Sequence, residues 1–355
     1  METSILLDVC EINPKTPSLD EEFVYIDLES VEKGTILHEN VISRDDAPSR
    51  AQRVLKFNDI LFQCVRPYQK NNLLFAGDTH TLQYVASTGY AQIRTDKQNP
   101  AFLYQLLNTQ KFVDQVMLRC TGTSYPAINA NDLSKIPICY PLQIEEQNKI
   151  AKLLSLLDNR IETQKKIIEK YESLIKGIRY NLLNFNSSAR IYKLKDICKI
   201  TTGKLDANAM EEGGVYPFFT CAEEPFAINT YAFDTEALLV SGNGANVGYI
   251  NYCNGKFNAY QRTYVLYDFS VNIDYVRYYM DVFLRQRIDQ EKNVGNTPYI
   301  VLSTLADMKI RIPSHERQLD ICRVIKVLET KLTLEIDLYN SYQQVKDFLL
   351  RRMFI

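Results

Sequence analysis

Residues 142–186 read LQIEEQNKIAKLLSLLDNRIETQKKIIEKYESLIKGIRYNLLNFN, and residues 314–355 read SHERQLDICRVIKVLETKLTLEIDLYNSYQQVKDFLLRRMFI. In the first stretch Ile150, Leu154, Leu157, Ile161, Gln164, Ile168, Tyr171, Ile175, Ile178 and Leu182 follow one another in alternating steps of four and three. Adding 171 to each number gives Ile321, Ile325, Leu328, Leu332, Glu335, Tyr339, Tyr342, Lys346, Leu349 and Met353. This is a heptad seam, written twice, and it predicts two long helices that each pack against another helix. A polar residue interrupts both seams at the same step, Gln164 and Glu335, where it would fix register. At ~1.5 Å per residue, about 40 residues make a rod of roughly 60 Å. A globular stretch separates the two helices, so the simplest arrangement packs them antiparallel. The chain then runs domain, helix out, domain, helix back, with its ends meeting in a pseudo-twofold object. Pro141 and Pro313 precede the helices, where proline is tolerated.

Outward from the helices, the rest of the chain also repeats. Leu6–Ile12 (LLDVCEI) returns as Leu194–Ile200 (LKDICKI) at an offset of 188. Asp59-Ile60-Leu61-Phe62 matches Glu236-Ala237-Leu238-Leu239 at 177, and Asp114-Gln115 matches Asp289-Gln290 at 175. Leu133 and Pro141 match Leu305 and Pro313 at 172, and Glu145 and Gln147 match Glu316 and Gln318 at 171. The order is kept and the offset only shrinks, as expected of two copies of one domain with shorter loops in the second. Within the copies, 23–28, 59–66, 237–242 and 262–267 read as strands, and 101–118 and 274–289 as helices. The expected fold class is α+β, with two tandem mixed α/β domains and two long antiparallel coiled-coil helices. The expected division is 1–141 and 187–313 for the domains, with 142–186 and 314–355 for the helices.

With 46% hydrophobic and 24% charged residues the composition is globular. No apolar run approaches the ~18 residues of a membrane span, and residues 1–15 do not read as a signal peptide. The eight cysteines contain no CxxC pair and histidines stand only at 38, 80 and 315, which argues against a zinc site and for free thiols in a reducing cytoplasm. Net charge is −2, but charge is unevenly placed. Residues 20–39 carry a net −6, and residues 44–70 a net +3 from Arg44, Arg50, Arg53, Lys56, Arg66 and Lys70 against three aspartates. Such a patch can meet phosphate although the whole chain is near neutral.

Motifs for catalysis are missing from the sequence. It has no GxxxxGK[ST] phosphate loop and no PD…(D/E)xK nuclease pattern. Asn99-Pro100-Ala101-Phe102 approaches an amino-methyltransferase signature but has Ala at its third position, and no glycine-rich cofactor turn precedes it. Ser241-Gly242-Asn243-Gly244-Ala245-Asn246-Val247-Gly248 is glycine-rich without a cofactor fingerprint. Combined with the duplication, this favours a binding protein.

One family fits this order. Gly122-Thr123-Ser124…Leu133…Ile136-Pro137-Ile138…Pro141-Leu142…Glu146-Gln147…Ile150…Leu154…Leu157-Asp158, running into the heptad helix, resembles the end of a target-recognition domain and the spacer helix of type I restriction-modification specificity subunits. Ile310-Arg311-Ile312-Pro313…Glu316-Arg317-Gln318…Ile321 repeats it, although Glu335 and Lys346 make the second seam more polar. Tyr25-Ile26-Asp27…Gly34…Asp59-Ile60-Leu61-Phe62…Arg66-Pro67-Tyr68 resembles one type of recognition domain, and Val215–Cys221 with Leu238–Ala245 and Asn258–Tyr264 another. The resemblance implies a non-catalytic DNA reader in the cytoplasm. Each recognition domain would read one half of a split target in double-stranded DNA, and the helices would set the gap. Two methylation subunits would bring S-adenosylmethionine, and restriction subunits ATP and Mg; this chain would hold no cofactor. Service to a combined restriction-methylation polypeptide, and a methyltransferase fragment, are the alternatives.

Loops that present Arg, Lys, Asn, Gln or Thr suit base readout and phosphate binding. The expected DNA-binding residues are Arg44, Arg50, Arg53, Arg66, Tyr68 and Lys70 in the first domain. In the second they are Asn243, matched to Arg66 at offset 177, then Asn246, Lys256, Gln261 and Arg262.

Overall fold

A computed structural model describes residues 1–77, 81–184, 189–291 and 299–354. The chain divides into two compact units: Met1–Lys165 with Asp337–Ile355, and Lys166–Ile336. The expected junction at 186/187 lies outside the described residues.

Both heptad stretches are helical, over Ile144–Asn184 and His315–Met353. All twenty seam positions are buried or half-buried. The two helices run antiparallel within each unit. In the first unit the seam cation Lys346 pairs with Asp158 at 2.5 Å, and further back Ile150 and Leu154 share a core with Leu349, Met353 and Phe354. In the second unit Arg179 pairs with Glu329, and Leu183 shares a core with Ile321 and Ile325. Gln164 is buried, and Glu335 is ion-paired to Lys331 at 2.6 Å.

Each unit is built on the same frame. In the first, Glu2–Ile5 pairs with Pro137–Tyr140, and the Leu6 amide donates to the Ile136 carbonyl at 3.0 Å. In the second, Arg190–Lys193 pairs with Lys309–Ile312, and the Leu194 amide donates to Met308 at 2.9 Å. The thiols Cys10 and Cys198 donate back to the carbonyls of Leu6 and Leu194, at 3.1 and 3.4 Å. Strand Ile60–Gln63 pairs with Tyr90–Arg94 as Phe233–Ser241 pairs with Thr263–Tyr267. On this frame each unit carries a different addition. The first adds a four-stranded sheet in the order Asn40–Ser43, Glu22–Ile26, Gln83–Ser87, Ala51–Val54. The second extends its frame sheet to six strands through Ile250–Ala259, Tyr216–Phe219 and Phe226–Ile228.

The expected helix over 101–118 is two helices, Pro100–Leu107 and Gln110–Met117. Thr109 breaks it, because its hydroxyl accepts from the Phe112 amide as a new N-cap. The counterpart Ile273–Glu291 is continuous.

Two polar devices tie each frame to its helices, and both are repeated. Buried Gln147 accepts from the Asn99 amide at 3.0 Å and donates to the Pro141 carbonyl at 2.8 Å. Buried Gln318 does the same with Asn272 and Pro313, at 3.0 Å each. Next, Asp158 accepts from Gln105 at 2.6 Å as well as from Lys346, while Glu329 accepts from the Tyr278 hydroxyl at 2.9 Å as well as from Arg179. One acid on the departing helix is thus held by a domain helix and by a cation on the returning helix. Gln318→Leu keeps the side chain's bulk but orphans the Asn272 amide and the Pro313 carbonyl. It is expected to destabilise the second unit by about 1–3 kcal/mol. An unchanged urea midpoint by circular dichroism would show that water replaces the glutamine.

Candidate nucleic-acid interface

The structure brings some of the expected side chains together and assigns others to internal work. In the first unit the segments that carry Arg50, Arg53 and Arg66 meet at the turn Ser87–Gly89. The Arg50 carbonyl accepts from Thr88 at 2.9 Å, Arg53 sits opposite Ala86 in the sheet, and Cys64 donates its amide to Gly89 at 2.9 Å. Burial lowers the Arg53 pKa, partly offset by the nearby Cys64 thiol, which burial pushes up to about 12. Arg53 Nε is buried without a partner among the described residues. Tyr68 is exposed, on the turn Pro67–Gln69 that follows Arg66.

Arg44 stands apart. It follows the far edge strand Asn40–Ser43, at the opposite end of the sheet from Arg50, and donates to the Leu19 carbonyl at 3.3 Å. Lys70 is half-buried. Burial lowers its pKa against the opposing pull of Asp347 and Asp114, which places it beside the helices.

In the second unit Gln261 and Arg262 line an open concavity of about 300 Å³ with Gly242, Tyr264 and Ile300. The Arg262 side chain is exposed and has no hydrogen bond or ion pair among the described residues, although its carbonyl accepts from the Gly242 amide at 2.8 Å; the Gln261 side chain donates to Asp206 at 2.6 Å. Gly242 is required at the concavity wall, since a Cβ there would stand 2.3 Å from the Arg262 carbonyl oxygen. Asn243 and Asn246 face inward. The first accepts from the Cys221 thiol at 3.0 Å, and the second donates to the Cys221 carbonyl at 3.2 Å, so they tie two loops together. Lys256 is exposed with its ammonium 4.6 Å from the centre of the Tyr231 ring, and interaction with Tyr231 raises its pKa.

The structural match between the units differs from the sequence match by one residue. Ile128 donates to the Cys64 carbonyl at 3.0 Å, and Ile300 to Gly242 at 2.7 Å, so Cys64 corresponds to Gly242 and the offset is 178. Arg66 therefore corresponds to Gly244, not Asn243. Both have left-handed backbone, with φ of 54° and 81°. The cores agree. Ile60 and Phe62 face the helices, as do Leu238 and Val240, while Leu61 and Leu239 face the opposite side. A slip of one residue would invert every side chain.

Sequence reasoning missed Tyr125. It follows the Gly122-Thr123-Ser124 segment and places its ring centre 4.2 Å from the Arg66 guanidinium carbon. The pairing of Tyr-Pro with that segment was a visible signal, but its partner, about sixty residues away, was not.

The profile described as "Type I restriction modification DNA specificity domain" matches residues 1–173 and again 186–342. The chain belongs to this family. Over 151 residues it is 40% identical to the type I restriction enzyme EcoDI specificity subunit of Escherichia coli, covering 40% of this chain and 33% of that protein. It is 23% identical over 275 residues to the putative type I specificity subunit S.MpnORF638P of Mycoplasma pneumoniae, covering 71% of this chain and 72% of that one. The match thus spans a third of the E. coli subunit's length. Two solved chains share the fold, each with a TM-score of 0.66. One is the type I restriction-modification S subunit from M. genitalium, 16% identical, with 100% of this chain and 96% of that one covered. The other comes from work on assembly and conformational transition of the type I R-M system, 21% identical, with 99% and 97% covered. Among the described residues no helix is long and apolar enough to cross a membrane.

Proposed function

We propose that this specificity-family chain is the non-catalytic reader of a bipartite DNA target, one half-site per unit, with recognition domains 1–141 and 187–313 and spacer helices 142–186 and 314–355. The observation that carries this reading is one frame built twice with different chemistry mounted on it. The same loop offers Arg66 in one unit and the bare Gly244 in the other, and different sheets flank the two loops. Identical readers would need only identical additions; different ones fit two different words. Arg50, Arg53, Arg66 and Tyr68 would face DNA from the first unit, and Lys256, Gln261 and Arg262 from the second. Arg44 and Lys70 would supply phosphate neutralisation at the margin, while Asn243 and Asn246 would shape their loop.

The helices would dock two methylation subunits, which bring S-adenosylmethionine. Restriction subunits would join through that complex with ATP and Mg. Repetition on the helices supports two docking sites. Leu153, Leu156 and Val345 are exposed in the first unit, and their counterparts Val324, Val327 and Leu174 in the second. Exposed apolar side chains at repeated positions mark surfaces that associate.

Selection by the full chain with its methylation subunits from random duplex DNA should return two fixed words at a fixed gap. Replacing residues 187–313 with the matching domain of a relative should change one word completely and leave the other. Change in both words, or in neither, would overturn the division of labour.

A further inference from the structure

We propose that Tyr125 is a specificity-determining positioning residue, whose ring sets the plane in which the Arg66 guanidinium reads a guanine of the first half-site; this rests on the DNA-reading function above.

The backbone aims Arg66 before any ligand arrives. Its φ and ψ are both 54°, a left-handed conformation that a side chain bearing a Cβ adopts only when its surroundings impose it. Here they do. The Arg66 amide donates to the Pro126 carbonyl at 2.8 Å, Cys64 two residues before it is bonded through its amide to Gly89 and through its carbonyl to Ile128, and Pro67 follows. The segment opposite is equally fixed. Thr121 and Ala127 exchange two backbone hydrogen bonds of 2.9 Å each, and Gly122 turns the loop with φ of 88°. A Cβ on Gly122 would also stand 3.1 Å from the Tyr125 carbonyl oxygen.

The side chains show what this fixed geometry is for. Tyr125 leaves 64% of its surface exposed, although its ring lies against the guanidinium at 4.2 Å. Among the described residues, Arg66 Nε is buried without a partner and no carboxylate is paired with the guanidinium. An internal arginine would be expected to hold an acid; Arg94 in the same unit does so with Asp59. Stacking on an aromatic face leaves the in-plane N–H groups free and confines the group to one plane. The O6 and N7 of guanine in the major groove require two coplanar donors of this kind. Gly244 has no side chain for this task, so the device belongs to the first unit alone.

The test uses the full chain with its methylation subunits and duplexes carrying each base at each position of the two words. Arg66→Gln is expected to erase discrimination at one position of the first word, with a loss on the order of tenfold to a hundredfold for the guanine duplex. Tyr125→Leu should erase preference at that same position, with a loss on the order of tenfold. Tyr125→Phe, which keeps the ring, should bind within about twofold of the original chain. The double variant Arg66→Gln with Tyr125→Leu should be no weaker than Arg66→Gln alone. A purely structural tyrosine would weaken all duplexes equally, or affect a position other than that of Arg66; either result overturns the pairing. So does failure of the Phe variant to preserve the preference. If the unaltered chain selects no words at all, the DNA-reading function fails with it; if it selects words that all the variants keep, only the pairing fails.

Discussion

Removing residues 165–171 and 336–342 together is expected to bring the two half-sites about three base pairs closer without changing their words. Each deletion is one heptad, so every remaining seam residue stays in phase. The deletions lie where the chain passes between its two units, at Lys165/Lys166 and Ile336/Asp337. They spare both acid clasps, Asp158 with Gln105 and Lys346, and Glu329 with Tyr278 and Arg179. Each helix shortens by about 10 Å at ~1.5 Å per residue, against a rise of ~3.4 Å per base pair. Rotation opposes the change. Three base pairs turn the duplex by roughly a third of its ~10.5 bp repeat, and a heptad of supercoil turns the helices much less. The shortened chain should therefore bind its new site more weakly than the original binds its own. Selection from a library with random gaps measures this. Recovery of the original gap by a folded variant would show that the helices dock partners but do not set spacing.

Asp59→Ala is expected to cost the first unit a large part of its stability. The Asp59 carboxylate is fully buried. It accepts from Arg94 Nε and Nη2 at 2.7 and 2.6 Å, from Gln92 at 2.7 Å and from the Lys56 amide at 2.7 Å. Removing one member of a buried pair costs about 3–5 kcal/mol. Arg94 keeps 27% of its side chain exposed, so part of that cost is screened and about 2–4 kcal/mol is expected. The second unit shows an apolar solution at the same place, where Ala237 lies opposite Tyr267. Asp59→Ala combined with Arg94→Tyr should accordingly recover most of the loss, because a buried ion pair can be replaced by packed apolar groups at little net cost. Urea unfolding of the single and double variants decides. Equal stability of the two would mean that Gln92 and Lys56, not Arg94, carry the cost.

The match of Asp59 with Glu236 also shows how a sequence comparison can miss by one residue. The two acids align at offset 177, yet Glu236 is exposed and accepts from Tyr252 at 2.7 Å, while Asp59 is buried. Shared charge favoured that register; the two-residue period of the strand required the next one. The displacement carried over to Arg66, which was matched to Asn243 in place of Gly244.

The two long helices, the duplication and the four marked strands were legible in the sequence. These follow from periodicities repeated over many residues, so no single position decides them. The tertiary structure alone decided the break at Thr109, the one-residue register, the spending of Asn243 and Asn246 on Cys221, and the pairing of Arg66 with Tyr125. The physical reason is the same in each case. A polar side chain is free for a ligand or occupied within the fold according to which distant backbone or ring the folded chain brings beside it, and that neighbour leaves no periodic trace in the sequence.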